Sequence, residues 1–118
     1  KIAGINVAQG AMMTQEPLVT DVTTPISEEF RKLYAEKFKE IPSSPWPVYA
    51  ADALYGIVGA IGKAGKADST AIAAAMRSMT DVQGVTGAVL FTERGDRKDV
   101  PYKMYVVGGD GKLVVSNK

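Results

Sequence analysis

The chain has 118 residues, with 14 basic and 13 acidic side chains and a formal net charge of +1. That length suits one domain with its own core, and the balanced charge provides no basic field for nucleic acid. Cysteine and histidine are absent, which excludes a disulfide scaffold, a thiolate nucleophile, an imidazole base and most zinc or copper sites.

The first elements in chain order are a helix end and a short strand. Residues 1–4 are typical of a last helical turn closed by Gly4, and we expect the body of that helix to lie upstream. A strand is predicted over residues 11–14, and Pro17 ends it because proline cannot donate to a ladder. Thr14 and Gln15 leave this strand, and the local pattern favours a solvated loop for both.

The next predicted element is an amphipathic helix that runs to about Glu40. Thr24 is a suitable N-cap, and Pro25 suits the first helical position, where its missing N–H would have had no partner. Its apolar face repeats at helical spacing and comprises Ile26, Phe30, Leu33, Tyr34 and Phe38. Asp68 or Ser69 is expected to cap a third helix over residues 70–79.

Between these two lies a nearly all-apolar helix, predicted to start at Pro47 and to end at a left-handed Gly65. Trp46 should precede this helix, because a following proline disfavours helical backbone angles. Apolar residues on opposite sides predict burial on most faces. Asp52 interrupts them, and a hydrogen-bonded structural role is favoured over catalysis because an unpaired buried carboxylate is costly.

The last third of the sequence is rich in β signals. An irregular stretch over residues 81–87 precedes a predicted strand over 88–92 and a turn over 93–96. Two further strands, over residues 102–107 and 112–116, are joined by the glycine-rich hairpin 108–111. The order is therefore one strand, three helices and three strands, an α/β class in which the opening strand has no obvious neighbour.

These blocks, in this order and spacing, resemble the C-terminal third of the type I periplasmic substrate-binding proteins of branched-chain amino acid ABC transporters. The resemblance covers essentially the whole chain, and no single block is diagnostic. The matching blocks are Phe30, Tyr34 and Phe38, Ala51-Asp52-Ala53, residues 60–65, Asp68, residues 84–91 with Gly95-Asp96, and the terminal hairpin.

The resemblance implies a Rossmann-like lobe segment of a two-lobed protein whose first two-thirds precede this chain. Residues 1–15 would form the second crossing between lobes, 16–100 mostly helices of the N-terminal lobe, and 101–118 the third crossing with the terminal hairpin. Closure would be a hinge motion about the crossing strands, with Met13 and Tyr105 as hinge residues.

The resemblance also implies a small-molecule site between the lobes. Trp46 matches a position where relatives place a bulky side chain against the ligand, and Tyr49, Thr14 and Gln15 are further candidates. For Tyr49, core packing remains the favoured interpretation. Ala51 stands where many relatives have tyrosine, which leaves room for a larger or aromatic ligand beside a small amino acid or related carboxylic acid.

A protein of this kind would be periplasmic or extracellular, lipid-anchored in some cases, and would deliver its ligand to an ABC permease. No catalytic residue, cofactor or metal site is predicted. Two alternatives stay open: a ligand-sensing receptor or regulatory domain on the same fold, and an unrelated α/β structural or enzymatic domain. Open strand edges predict that the isolated chain self-associates, swaps segments or is partly disordered.

Overall fold

A computed structural model describes residues 4–116 and divides them into two compact units. One unit contains residues 4–17 and 101–116, and the other contains residues 18–100. In chain order the elements are α1 (Ile5–Ala8), β1 (Met12–Gln15), a 3₁₀ turn (Val19–Asp21), α2 (Pro25–Phe38), α3 (Trp46–Ala64), α4 (Ser69–Ser78), β2 (Gln83–Gly84), β3 (Gly87–Ala88), β4 (Lys103–Val107) and β5 (Leu113–Val115).

The first unit is a three-stranded antiparallel sheet in the order β1-β4-β5. The prediction that the opening strand lacks a neighbour is wrong, because β1 pairs with β4 along its whole length. The predicted hairpin at 108–111 is present, with the Gly108 N–H donating to the Lys112 carbonyl at 2.8 Å. In that turn the Lys112 backbone N–H donates to Asp110 and lowers the pKa of its carboxyl.

The start of this unit also differs from the prediction. Gly4 has extended angles (φ −69°, ψ 159°) and is the N-cap of α1, so it does not close a preceding helix. The rest of that predicted helix end falls on residues 1–3, outside the described part of the chain. The short helix α1 was not anticipated, since its four residues are too few to show a hydrophobic period.

The second unit contains the three longer helices, and two of the predicted caps are confirmed. Thr24 caps α2 by accepting from the Ser27 backbone N–H at 3.0 Å. Asp68 caps α4 by accepting from the Ala71 N–H at 2.9 Å. α2 ends at Phe38 rather than near Glu40, because Lys39 adopts left-handed angles (φ 60°) that end the helical hydrogen bonding.

The predicted strand over residues 88–92 is replaced by a smaller arrangement. β2 and β3 form a two-residue ladder, in which Gln83 faces Ala88 and Gly84 faces Gly87. Gly87, with φ +106°, supplies the left-handed angle that the turn requires. Phe91 forms only an isolated bridge to Arg97, so residues 90–98 fold as a loop that returns to β3 instead of continuing it.

The expectation that α3 is buried on most faces is wrong for this chain. One stripe of the helix, Val48, Asp52, Gly56 and Ala60, is buried. It contacts α4 and β2, and two small clusters form beside it, one around Val48 and one around Ala60. The opposite side of the helix remains accessible, so several apolar side chains of α3 are not covered by residues 18–100.

Thr24 offers a test of how α2 is fastened to the rest of its unit. Besides capping α2, its hydroxyl donates to the carbonyl of fully buried Val85 at 2.8 Å. We expect Thr24→Ala to lower the free energy of unfolding by about 2 kcal/mol, since it removes a cap and leaves a buried carbonyl unpaired. Urea unfolding measures this loss. Thr24→Ser retains both hydrogen bonds, and an equal loss in that variant would contradict the explanation.

Candidate functional site

Trp46 is the most conspicuous exposed side chain of the second unit. It is 69% exposed and is the first residue of α3, with Pro45 as the N-cap in helical angles (φ −72°, ψ −18°). The expectation that Trp46 precedes the helix is therefore wrong by one residue. The Pro45 carbonyl accepts from the backbone N–H groups of Val48 and Tyr49, at 3.1 and 3.2 Å. Pro47 lies within this first turn, where a backbone N–H would have no intrahelical acceptor, so its missing N–H costs the helix nothing.

The helix start beneath Trp46 is rigidly supported. Val48 is completely buried and forms a cluster with Val19 and Val85. Ile26 and Phe30 of α2 pack against the same cluster. Pro45 and Pro47, one on each side of Trp46, restrict the backbone further. Trp46 is thus an exposed indole on a restrained segment, an arrangement suited to contact with a second molecule at low entropic cost.

Tyr49 lies one turn into the helix and is half-buried. The guanidinium of Arg97 lies over its ring, 5.7 Å from the ring centroid. Such a cation–π contact fixes both side chains. The geometry favours the packing role for Tyr49 that the sequence already favoured, and it links the first turn of α3 to the loop carrying Arg97.

Asp52 is the centre of a polar network inside the second unit. It is 1% exposed, and its Oδ2 accepts from Arg97 Nη1 at 2.9 Å and from the Thr86 hydroxyl. Its Oδ1 accepts from the Thr86 backbone N–H at 3.2 Å. Both carboxylate oxygens are therefore paired, as a buried charge requires. The structural role predicted for Asp52 is supported by these bonds.

Arg97 is the structural partner of Asp52, and the sequence did not reveal it. Its Nη2 donates to the Thr86 hydroxyl at 2.6 Å and to the Ala88 carbonyl at 3.0 Å. The loop that presents it is closed by the Lys98 N–H to the Leu90 carbonyl, 2.8 Å, and by a left-handed Gly95. The only sequence signal was a basic residue directly after a glycine turn, which is common on any protein surface.

Gly84 allows Asp52 to approach the β2–β3 ladder. A Cβ at this position would overlap the Asp52 carboxylate and would lie 2.7 Å from Cγ2 of Val89. Neither neighbour can withdraw, because Asp52 is held by Arg97 and Val89 is buried. Glycine is therefore required here for close packing, whereas Gly62 on the exposed side of α3 has open space around it.

The remaining candidates lie in the first unit. Met13 and Tyr105, the two expected hinge residues, are directly opposite each other in the β1–β4 register. Thr14 pairs with Met104 and Gln15 with Lys103. Thr14 is exposed, whereas Gln15 is half-buried and its Nε2 has no hydrogen-bond partner among residues 4–116. Thr14 and Gln15 thus belong to one unit, and Trp46 and Tyr49 to the other.

Across residues 4–116 there is no group of three acidic side chains positioned to hold a metal ion. A search of the same residues finds no helix with the length and apolarity needed to span a membrane. Asp52, which is buried, accepts hydrogen bonds from Thr86 and Arg97 on both carboxylate oxygens.

Comparison with solved structures defines the class of fold as that of the type I periplasmic binding proteins. The leucine-binding protein LivK of Thermotoga maritima matches with a TM-score of 0.78 and 23% identity, over 92% of this chain and 30% of that one. A periplasmic binding protein of Burkholderia mallei matches with a TM-score of 0.71 and 18% identity, over 95% and 30%. The chain therefore spans about a third of the length of these structures.

The family model of the periplasmic binding proteins matches residues 1–112, and the chain belongs to that family. This result confirms the resemblance drawn from the sequence blocks. A search of curated proteins finds no match. Proteins of this family bind solutes and are not enzymes. Membership of the family therefore indicates that the chain is not an enzyme.

Gly84 and Gly62 form a matched pair for testing the close approach at Asp52. Gly84→Ala should lower the free energy of unfolding by about 2 kcal/mol through overpacking. Gly62→Ala should raise it by up to about 1 kcal/mol, because alanine is the better residue in an open helical position. Chemical denaturation measures both, and equal effects of the two substitutions would refute the packing argument.

The Asp52–Arg97 pair predicts strong thermodynamic coupling. Arg97→Ala leaves the buried Asp52 carboxylate with Thr86 alone, and we expect a loss of about 3 kcal/mol in unfolding free energy. Combining it with Asp52→Asn removes the uncompensated charge, so the double variant should lose less than the sum of the single losses by at least about 1 kcal/mol. A double-mutant cycle from urea titrations gives the coupling, and additivity would show that the pair is independent.

Proposed function

We propose that this chain is the C-terminal segment of a two-lobed protein that encloses a small amino acid, or a related carboxylic or aromatic acid, between its lobes. Family membership supports solute binding, and similarity of fold to a leucine-binding protein favours an amino acid as the class of ligand. The observation that carries the proposal is the exposed Trp46 on the restrained first turn of α3.

Trp46 would be the main apolar contact that this chain makes with the ligand. Its indole offers a large apolar surface with one N–H donor, and it can lie against either an aliphatic or an aromatic ligand side chain. The groups that bind the ligand's ammonium and carboxylate would come from other segments of the longer protein. Thr14 and Gln15 are further candidate contacts, and the unpaired Nε2 of Gln15 is a donor with unused capacity.

The strands of the first unit would act as the hinge. Hinge closure concentrates the backbone change in a few residues between rigid bodies. Met13 and Tyr105 face each other across β1 and β4, so a bend at one strand would be shared by its partner. Met13 and Tyr105 are the proposed hinge residues, and both belong to the paired strands of the first unit.

The closed, loaded form would be delivered to an ABC permease. Membership in the periplasmic binding protein family supports an extracytoplasmic location. Presentation to a permease requires that closure change the surface that the permease contacts, which a hinge motion of two lobes provides.

The test measures ligand affinity in the two-lobed protein that carries this segment. Isothermal titration with L-leucine, L-phenylalanine and other amino acids identifies the tightest ligand. Trp46→Ala should then weaken that affinity about 5-fold or more, since loss of an aromatic contact in a binding site costs about 1 kcal/mol. Trp46→Phe should restore part of the loss.

Leu33→Ala is the matched control, because Leu33 is also a large, mostly exposed apolar residue but lies in α2. It should leave affinity unchanged. Full affinity of Trp46→Ala for every amino acid that binds would remove Trp46 from the site. Absence of binding to any amino acid or carboxylic acid would refute the ligand class.

A further inference from the structure

Arg97 makes more contacts than the charge of Asp52 requires. Besides the bond from its Nη1 to Asp52, its Nη2 donates to the Thr86 hydroxyl at 2.6 Å and to the Ala88 carbonyl at 3.0 Å. The same guanidinium lies over the ring of Tyr49, 5.7 Å from the ring centroid. A lysine ammonium could compensate the carboxylate, but as a point charge it could not also bond on two sides and lie against a ring. This combination of contacts requires arginine.

The loop that carries Arg97 is closed by its own backbone. The Thr92 N–H donates to the Asp96 carbonyl at 2.8 Å, and the Gly95 N–H donates to the Thr92 carbonyl at 3.0 Å. Phe91 forms a β-bridge with Arg97 itself. None of these bonds involves the guanidinium. A substitution at Arg97 can therefore remove the side-chain contacts without opening the loop.

Tyr49 connects this guanidinium to the start of α3. It follows Trp46 by three positions, so the two side chains leave the same side of the first helical turn. The Tyr49 backbone N–H donates to the Pro45 carbonyl at 3.2 Å, within the turn that contains Trp46. Val48 anchors this turn in the core, and Arg97 gives it a second attachment through Tyr49. A contact surface that is held in place before the ligand arrives reduces the entropic cost of binding.

We propose that Arg97 is a positioning residue of the candidate ligand site. By holding Tyr49, it keeps the first turn of α3 and its exposed Trp46 in the geometry that receives the ligand. Arg97 does not itself touch the ligand, because its side chain is only 13% exposed and both Nη atoms already donate within the protein. The inference rests on the proposed function and adds to it a residue outside the contact surface.

Arg97→Lys tests the proposal in the two-lobed protein, with L-leucine and L-phenylalanine as probes in isothermal titration. The variant keeps a positive charge beside Asp52 but loses the guanidinium over the ring. The dissociation constant should rise about 3- to 10-fold, which is the effect of leaving one more side chain to be ordered on binding. Arg94→Lys is the matched control, because Arg94 lies in the same loop and is exposed. It should leave the dissociation constant unchanged.

Stability and positioning are separated by the conditions of the titration. Both variants are titrated at a temperature at which circular dichroism shows them to be folded, where a purely structural role would leave the dissociation constant unchanged. Tyr49→Leu removes the ring through which Arg97 acts. In that background Arg97→Lys should have little further effect on affinity. Full additivity of the two substitutions would show that Arg97 does not act through Tyr49, and would overturn the proposal.

Backbone motion provides a measurement that needs no ligand. In the 118-residue chain, ¹⁵N relaxation should show a lower order parameter for the Trp46 backbone N–H in Arg97→Lys and an unchanged one in Arg94→Lys. Equal order parameters in the two variants would overturn the positioning role. So would an affinity that Trp46→Ala lowers and Arg97→Lys does not, although the proposed function would then stand. Unchanged affinity in Trp46→Ala would instead refute the contact surface itself.

Discussion

The second unit depends on one buried ion pair. Asp52 lies in the middle of α3, and Arg97 comes from a loop 45 residues further along the chain. Thr86 shares hydrogen bonds with both, so helix, β2–β3 turn and loop are fastened at one point. Because each charge is buried with the other, loss of either partner costs more than the pair itself contributes. Two neighbouring features support the same ion pair. Gly84 leaves space for the Asp52 carboxylate, and the ring of Tyr49 packs against the Arg97 guanidinium.

Local rules predicted the helices well, because their signals lie within a few residues. Thr24-Pro25, Asp68 and Gly65 act through bonds to neighbours three or four positions away, and each is found where it was expected. The first turn of α3 was misjudged by one residue, because the rule for residues before proline competes with the tolerance of proline in a first turn. The family itself was predictable from the order of the blocks, although none of them was diagnostic alone.

Contacts between residues far apart in the chain could not be predicted from the sequence. Nothing near residues 12–15 indicates that they pair with residues 103–106, some 90 positions away. Arg97 carries no local sign that its guanidinium reaches Asp52. The burial of α3 was overestimated for a related reason: composition shows that a helix can be buried on all sides, and only the surrounding structure shows which sides are covered. The location of Trp46 at the start of α3 could be predicted from its flanking prolines, whereas the packing of Val48 against Val19 and Val85 could not.

The exposure of Trp46 has a practical consequence. It is the only tryptophan in the sequence, and it projects into solvent from a backbone held by two prolines and by the buried Val48. Selective excitation of the indole therefore produces an emission spectrum that originates at this one position. Any molecule that covers the start of α3 would shift or quench that emission, because indole emission depends on the exposure of the ring to solvent. The protein thus contains an intrinsic optical probe at its candidate binding surface.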